Sequence, residues 1–124
     1  MNWSATGAFL LAFGVVLGAF GAHGLRNRLD AYSMSLWEKA VFYHFIHALG
    51  LLIVALLPRT GTFSQIAAGR VCLLLAVGIL IFCGSLYALA LTGQRYLGAI
   101  TPVGGVSMIA AWLLLTWYLM APKV

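Results

Sequence analysis

The sequence predicts an all-α fold, an integral membrane four-helix bundle. Three observations carry this expectation. Of the 124 residues, 64% are hydrophobic and 7% charged; the mean hydropathy is +1.06; and the apolar residues fall into four stretches separated by short polar breaks. A soluble domain carries about 25% charged residues. A transmembrane helix needs about 20 apolar residues, so four crossings use most of the chain and make residues 1–124 one transmembrane domain.

The first span is expected over residues 3–25, because no Asp, Glu, Lys or Arg interrupts the chain from Trp3 to Leu25. No Lys or Arg precedes it and it is longer than a signal-peptide core, so it reads as a permanent span. The polar segment RNRLDAYSMS, residues 26–35, then breaks the hydrophobicity. Ser35 and Glu38 have capping-box spacing, in which the Ser oxygen accepts from the third helical N–H and the Glu reaches back. They place the second span over 36–57. Pro58 and the RTGT that follows end it. A second capping box, Thr62-Phe-Ser-Gln65, precedes a third span over 70–92. Thr101 offers a cap oxygen and Pro102 suits the first helical position, where its missing N–H is harmless. The fourth span is therefore expected over 102–121, carrying Trp112, Trp117 and Tyr118, with Lys123 beyond.

The net charge of +5 comes from seven Lys and Arg scattered over loops and span ends. They form no stripe, so nucleic acid is excluded as a partner and the bilayer is the expected one. Arg26, Arg28, Lys39 and Arg95 lie on one side, and Arg59, Arg70 and Lys123 share the other with both termini. That count puts both termini on the periplasmic side of an inner membrane, multi-pass. Glu38 and Lys39 read as an interfacial cap and a snorkelling anchor. Cys72 and Cys83 would stand about 16 Å apart on one helix, beyond disulfide reach, and read as buried thiols.

Four alternating crossings gather GAFGAHG (18–24), YHFIH (43–47), GSLY (84–87) and ITPVGG (100–105) into one half of the membrane. With a helix starting at Leu36, His44 and His47 lie about 10 and 15 Å below its start. A polar group at that depth needs a partner inside the protein. Interhelical hydrogen bonds to Tyr87, Ser85 or backbone supply one, making the histidines structural glue. Alternatively, intramembrane imidazoles mark a ligand, proton or metal site. The candidate polar cluster is His23, Tyr43, His44, His47, Ser85, Tyr87 and Thr101. His23, His44 and His47 together offer three nitrogens, but no Cys or carboxylate motif supports a metal, and neither metal nor cofactor is expected.

Gly7, Gly14, Gly18 and Gly21 fall on one stripe at 100° per residue, so another helix approaches closely there, in this bundle or in a neighbouring subunit. His23 falls on the opposite side of that stripe unless Gly24 ends the helix. Gly84, Gly104 and Gly105 are further helix-packing candidates. The last two follow Pro102 and also suit a helix N-terminus open to an anion or lipid headgroup.

GAFGAHGL, the Tyr43–Leu51 segment with HALGLL, FCGSLY, LTGQRYLGAITPVGG and the closing tryptophan-rich span together resemble the YgdD/YwdK-like family of small inner-membrane proteins. The resemblance covers nearly the whole chain and includes mitochondrial relatives. It implies four transmembrane helices and no established activity. It points to His23, Tyr43, His47, Gly84, Ser85, Tyr87, Thr101, Pro102, Gly104 and Gly105. The family pattern often has Gln at position 44 and Ser at position 83, so His47 becomes the expected hub, bonded to Tyr43 or Tyr87.

No paired-carboxylate, Ser-His-Asp or phosphate-loop signature is present, so an enzyme is not expected. The preferred expectation is a non-enzymatic accessory or interaction component, a homo-oligomer or part of a larger membrane complex, using the glycine stripe as its contact surface. The first alternative is a small dimeric transporter or channel with His47 as its proton-sensitive group; residues 3–25 lack the acidic residue that four-helix exporters use. The second is a metal- or haem-binding membrane subunit using His23, His44 and His47.

Overall fold

Asn2 starts the first helix: its Oδ1 accepts the Ala5 N–H at 3.1 Å, and α1 runs Trp3–Phe20. In this computed structural model, which describes residues 1–121, α1 continues into a π-helical turn, Gly21–Leu25. The second helix, α2, spans Ala31–Leu56 and tightens into a 3₁₀ turn, Leu57–Thr60, that stops at Gly61 with φ +79°. The third span is α3 (Gln65–Gly78), a π-helical turn (Ile79–Cys83) and α4 (Gly84–Thr92), ended by Gly93 at φ +70°. The last helix, α5, covers Leu97–Met120. Among the described residues, four segments are thus long and apolar enough to cross a membrane: Trp3–Leu25, Ala31–Thr60, Gln65–Thr92 and Leu97–Met120. Lys123 lies outside the described residues.

Three helix starts differ from the sequence expectation, because a helix begins where its first N–H groups find acceptors and not where hydrophobicity begins. Asp30, not Ser35, caps α2: its Oδ1 accepts the Ser33 N–H at 2.7 Å. That bond holds the Asp30 carboxyl below the usual carboxylate range. Ser35 lies inside the helix and donates to Tyr32 O at 2.6 Å. Ser64, not Thr62, caps α3, accepting from Ile66 N–H and Ala67 N–H at 3.2 and 3.3 Å. Thr101 caps nothing. A tight turn opens α5, with Leu97, Gly98 and Ala99 N–H donating to Gln94, Arg95 and Tyr96 carbonyls. Thr101 and Pro102 therefore sit within the helix.

The spans pack in chain order: α1 against α2, α2 against the third span, and the third span against α5. One core includes Trp37, Ala40, Ala48, Ile79, Cys83 and Met108. The other includes Leu51, Val54, Val71, Cys72, Leu75 and Ala111. Both cysteines are free and buried.

Where the helices touch, glycine sets the distance. A Cβ on Gly7 would stand 3.0 Å from Leu52 Cα, one on Gly14 3.1 Å from the Phe45 ring, one on Gly18 3.5 Å from Val41, and one on Gly21 inside the Trp37 indole. All four neighbours belong to α2. The stripe is filled by the next helix of the same chain, so it is not the outward contact surface expected from the sequence. Gly104 lies against the backbone of Phe82, in the second π-helical turn, and a Cβ on Gly78 would meet Met108 Cγ at 2.5 Å and Gly104 O at 3.1 Å. Gly105 would make only ordinary contact with the Phe82 ring, and a Cβ on Gly84 would meet nothing within 4 Å. Gly84 is thus not a packing glycine.

These contacts separate two substitutions of identical chemistry. Gly104→Ala, which collides with backbone, is expected to destabilise by about 1–3 kcal/mol. Gly84→Ala, in open space within a helix, is expected to be neutral or stabilising by up to about 1 kcal/mol. Thermal unfolding in mild detergent checks both, and equal effects would contradict the assigned crossing.

Candidate functional site

With α2 starting at Ala31, His44 lies about 20 Å and His47 about 24 Å along the helix. The whole span, Ala31–Thr60, has 30 residues and is about 45 Å long, so the two histidines straddle its midpoint. His44 is 2% exposed. Its Nε2 is 2.7 Å from Leu10 O on α1, and its Nδ1 is 3.0 Å from Tyr87 Oη on α4. A carbonyl only accepts, so Nε2 carries the proton and donates to it. In the neutral ring Nδ1 is then the acceptor, and the Tyr87 O–H donates to it. One imidazole thereby joins three spans, and both nitrogens are engaged.

Trp37 extends this bridge. Its ring centroid lies 4.7 Å from that of Tyr87, and its Nε1–H donates to Leu17 O at 3.0 Å. The absent side chain of Gly21 makes room for the indole.

His47 is not the hub. Its Nδ1–H donates to Tyr43 O, one turn back on the same helix, at 2.8 Å. Its ring stacks on that of Tyr43 at 5.7 Å and meets Trp112 at 5.8 Å. Among the described residues no buried side-chain nitrogen or oxygen lacks a partner. The second nitrogen of His47, which has none, therefore reaches the protein surface. The Tyr43 ring also packs on Phe82, at 4.7 Å.

Ser85 and Thr101 form a separate link, with their hydroxyls 2.5 Å apart between α4 and α5. Ser85 also donates to Phe82 O at 3.0 Å, so the pair does not reach the histidines. His23 stands apart as well. The π-helical turn carries Gly21 and Leu25 inward and leaves His23 exposed. The three imidazoles do not converge, and among the described residues no three His, Cys, Asp or Glu side chains are grouped to hold a metal.

Beside the bridge an apolar cleft of about 250 Å³ separates α1 from the third span, with His44 and Tyr87 at its base. Leu10 and Phe13 line one wall and Ile79, Leu80 and Gly84 the other. The bare Gly84 keeps it open.

Sequence reasoning passed over Trp37, Ser107 and the carbonyls of Leu10 and Leu17. Ser107 Oγ donates to Leu74 O at 2.8 Å and ties α5 to α3. A carbonyl has no sequence signature. Trp37 had one, a bulky residue facing a glycine, but only the fold says which glycine.

The bridge needs a donor and an acceptor at position 44, not an imidazole as such. His44→Gln, whose amide donates to Leu10 O and accepts from Tyr87, is expected to stay within about 0.5 kcal/mol of the parent. His44→Leu and Tyr87→Phe are each expected to lose about 0.6–1.7 kcal/mol, the range for hydrogen bonds between membrane helices. In a double-mutant cycle of the last two, the losses should not add. Additive losses by chemical unfolding in detergent would contradict the bond.

Residues 17–105 match the family described as "Protein of unknown function (DUF423)". A UPF0382 membrane protein of Staphylococcus haemolyticus is 50% identical over 109 residues, covering 88% of this chain and 87% of the relative. A UPF0382 membrane protein of Staphylococcus saprophyticus is 51% identical over 109 residues, covering 88% of each chain. The UPF0382 membrane protein YwdK of Bacillus subtilis is 44% identical over 111 residues, again covering 88% of each. No solved structure matches. With four segments able to cross a bilayer and relatives of this identity over most of its length, the chain is a membrane protein of the DUF423 family, similar to YwdK.

Proposed function

We propose that the protein is a non-enzymatic accessory component of the bacterial inner membrane, acting through its outer helix faces by self-association or within a larger membrane complex. One observation carries this reading: among the described residues, every fully buried side-chain nitrogen and oxygen has a hydrogen-bond partner within the protein. What the outer spans present is apolar. On α1 these residues include Phe9, Phe13 and Val16, and on α5 Val106, Ile109 and Leu113. With the glycine stripe covered by α2, these faces replace it as the contact surface. The excess of Arg26, Arg28, Lys39 and Arg95 over Arg59, Arg70 and Lys123 supports termini on the periplasmic side.

A small transporter with His47 as its proton-sensitive group keeps one observation in its favour, the surface-reaching second nitrogen of that ring. Against it, the cleft beside His44 is lined mostly by apolar side chains.

Cross-linking in native membranes followed by gentle solubilisation tests the preferred reading. The expected result is a species larger than one chain, reduced when Ile109 or Phe9 is replaced by a bulkier or charged residue. A strictly monomeric protein that cross-links to nothing would overturn it.

A further inference from the structure

A second groove, of about 440 Å³, lies between the first and second spans on another face of the molecule from the His44 cleft. Its floor is Gly18 and Ala22, beside the buried Gly21, whose side-chain space the Trp37 indole fills. Its other wall is a stripe of α2 at helical spacing: Met34, Glu38, Val41, Phe42 and Phe45, with Trp37 beside them. Glu38 stands toward the span end, and Phe45 lies about 10 Å deeper along the helix. The groove therefore has a carboxylate near its mouth and an apolar, partly aromatic body running into the bilayer.

The carboxylate is unusual in this chain. There are only two acidic residues against seven Lys and Arg. Asp30 is engaged in capping α2. Glu38 caps nothing, since α2 has already run two turns before it, and Lys39 points about 100° away around the helix. Glu38 is exposed on the groove's edge. A carboxylate at the boundary of a hydrocarbon layer favours a cation beside it, and neighbouring aromatic rings favour the same charge.

We infer that this groove holds a membrane lipid with an ammonium headgroup, the ammonium beside Glu38 and an acyl chain laid over Gly18 and Ala22 toward Phe45. The Glu38 carboxylate at the groove's mouth selects the headgroup, set among Arg26, Arg28 and Lys39 at the same span end, and the lateral opening of the groove along the bilayer selects a lipid over a water-borne amine. Gly18 and Ala22 supply the room. The site holds its lipid whether or not the protein self-associates, so its test is separate from the cross-linking one.

The experiment uses the full chain in nanodiscs of equimolar phosphatidylethanolamine and phosphatidylglycerol with identical acyl chains, and reads the lipid retained on gentle release by native mass spectrometry. One retained phosphatidylethanolamine is expected, favoured about threefold to fivefold over phosphatidylglycerol, the scale of a single exposed charge contact. Glu38→Gln, a near-isosteric change at an exposed position, is expected to bring that ratio to about one. Ala22→Phe, which fills the groove and leaves the carboxylate in place, is expected to abolish retention of either lipid. A parent protein without headgroup preference, a preference that survives Glu38→Gln, or undiminished retention by Ala22→Phe would each overturn the assignment.

Discussion

Hydrocarbon offers no hydrogen-bond partner, so an imidazole at the middle of the bilayer must find both a donor and an acceptor within its own protein. His44 does this by reaching in opposite directions, to the Leu10 carbonyl on α1 and the Tyr87 hydroxyl on α4. Much of the interior is arranged around that requirement. The glycines of α1 let α2 come close enough for a ring nitrogen to touch a backbone oxygen. Trp37 packs on Tyr87 and is itself anchored to the Leu17 carbonyl, so the tyrosine approaches His44 from a fixed direction.

The remaining polar contacts follow the same rule at other crossings. Ser85 meets Thr101 between α4 and α5, and Ser107 meets Leu74 O between α5 and α3. Each is a local tie between neighbouring spans, not part of one continuous cluster. Two π-helical turns help this arrangement. The first ends α1 and turns His23 outward, and the second sets the Phe82 backbone against Gly104. Polar residues at membrane depth here tie neighbouring helices together.

The four crossings, the all-α class and the family were legible because hydropathy and motif order depend on the chain alone. The helix starts were less so. Apolar content marks where a span enters hydrocarbon, whereas Asp30 and the turn before Leu97 begin their helices further out, in the headgroup region. That shift places His44 about one and a half turns further along its helix than expected. The glycine stripe was visible, but its partner was not: in lipid both the inner and the outer faces of a helix are apolar, so no polar side tells which stripe faces inward. The exchange of roles between His44 and His47 has the same origin. His44 and His47, three residues apart on one helix, look alike until the neighbouring helices are in place.

The protonation pattern of His44 reports most directly on whether it bridges three spans. In protein labelled with ¹⁵N-histidine and reconstituted in bilayers, solid-state NMR separates protonated from bare ring nitrogens, and a His44→Gln sample assigns the signal. A neutral ring protonated at Nε2, with Nδ1 bare but hydrogen-bonded, is the expected result. A ring protonated at Nδ1, or one whose shifts do not change in Tyr87→Phe, would contradict the bridge and the packing order built around it.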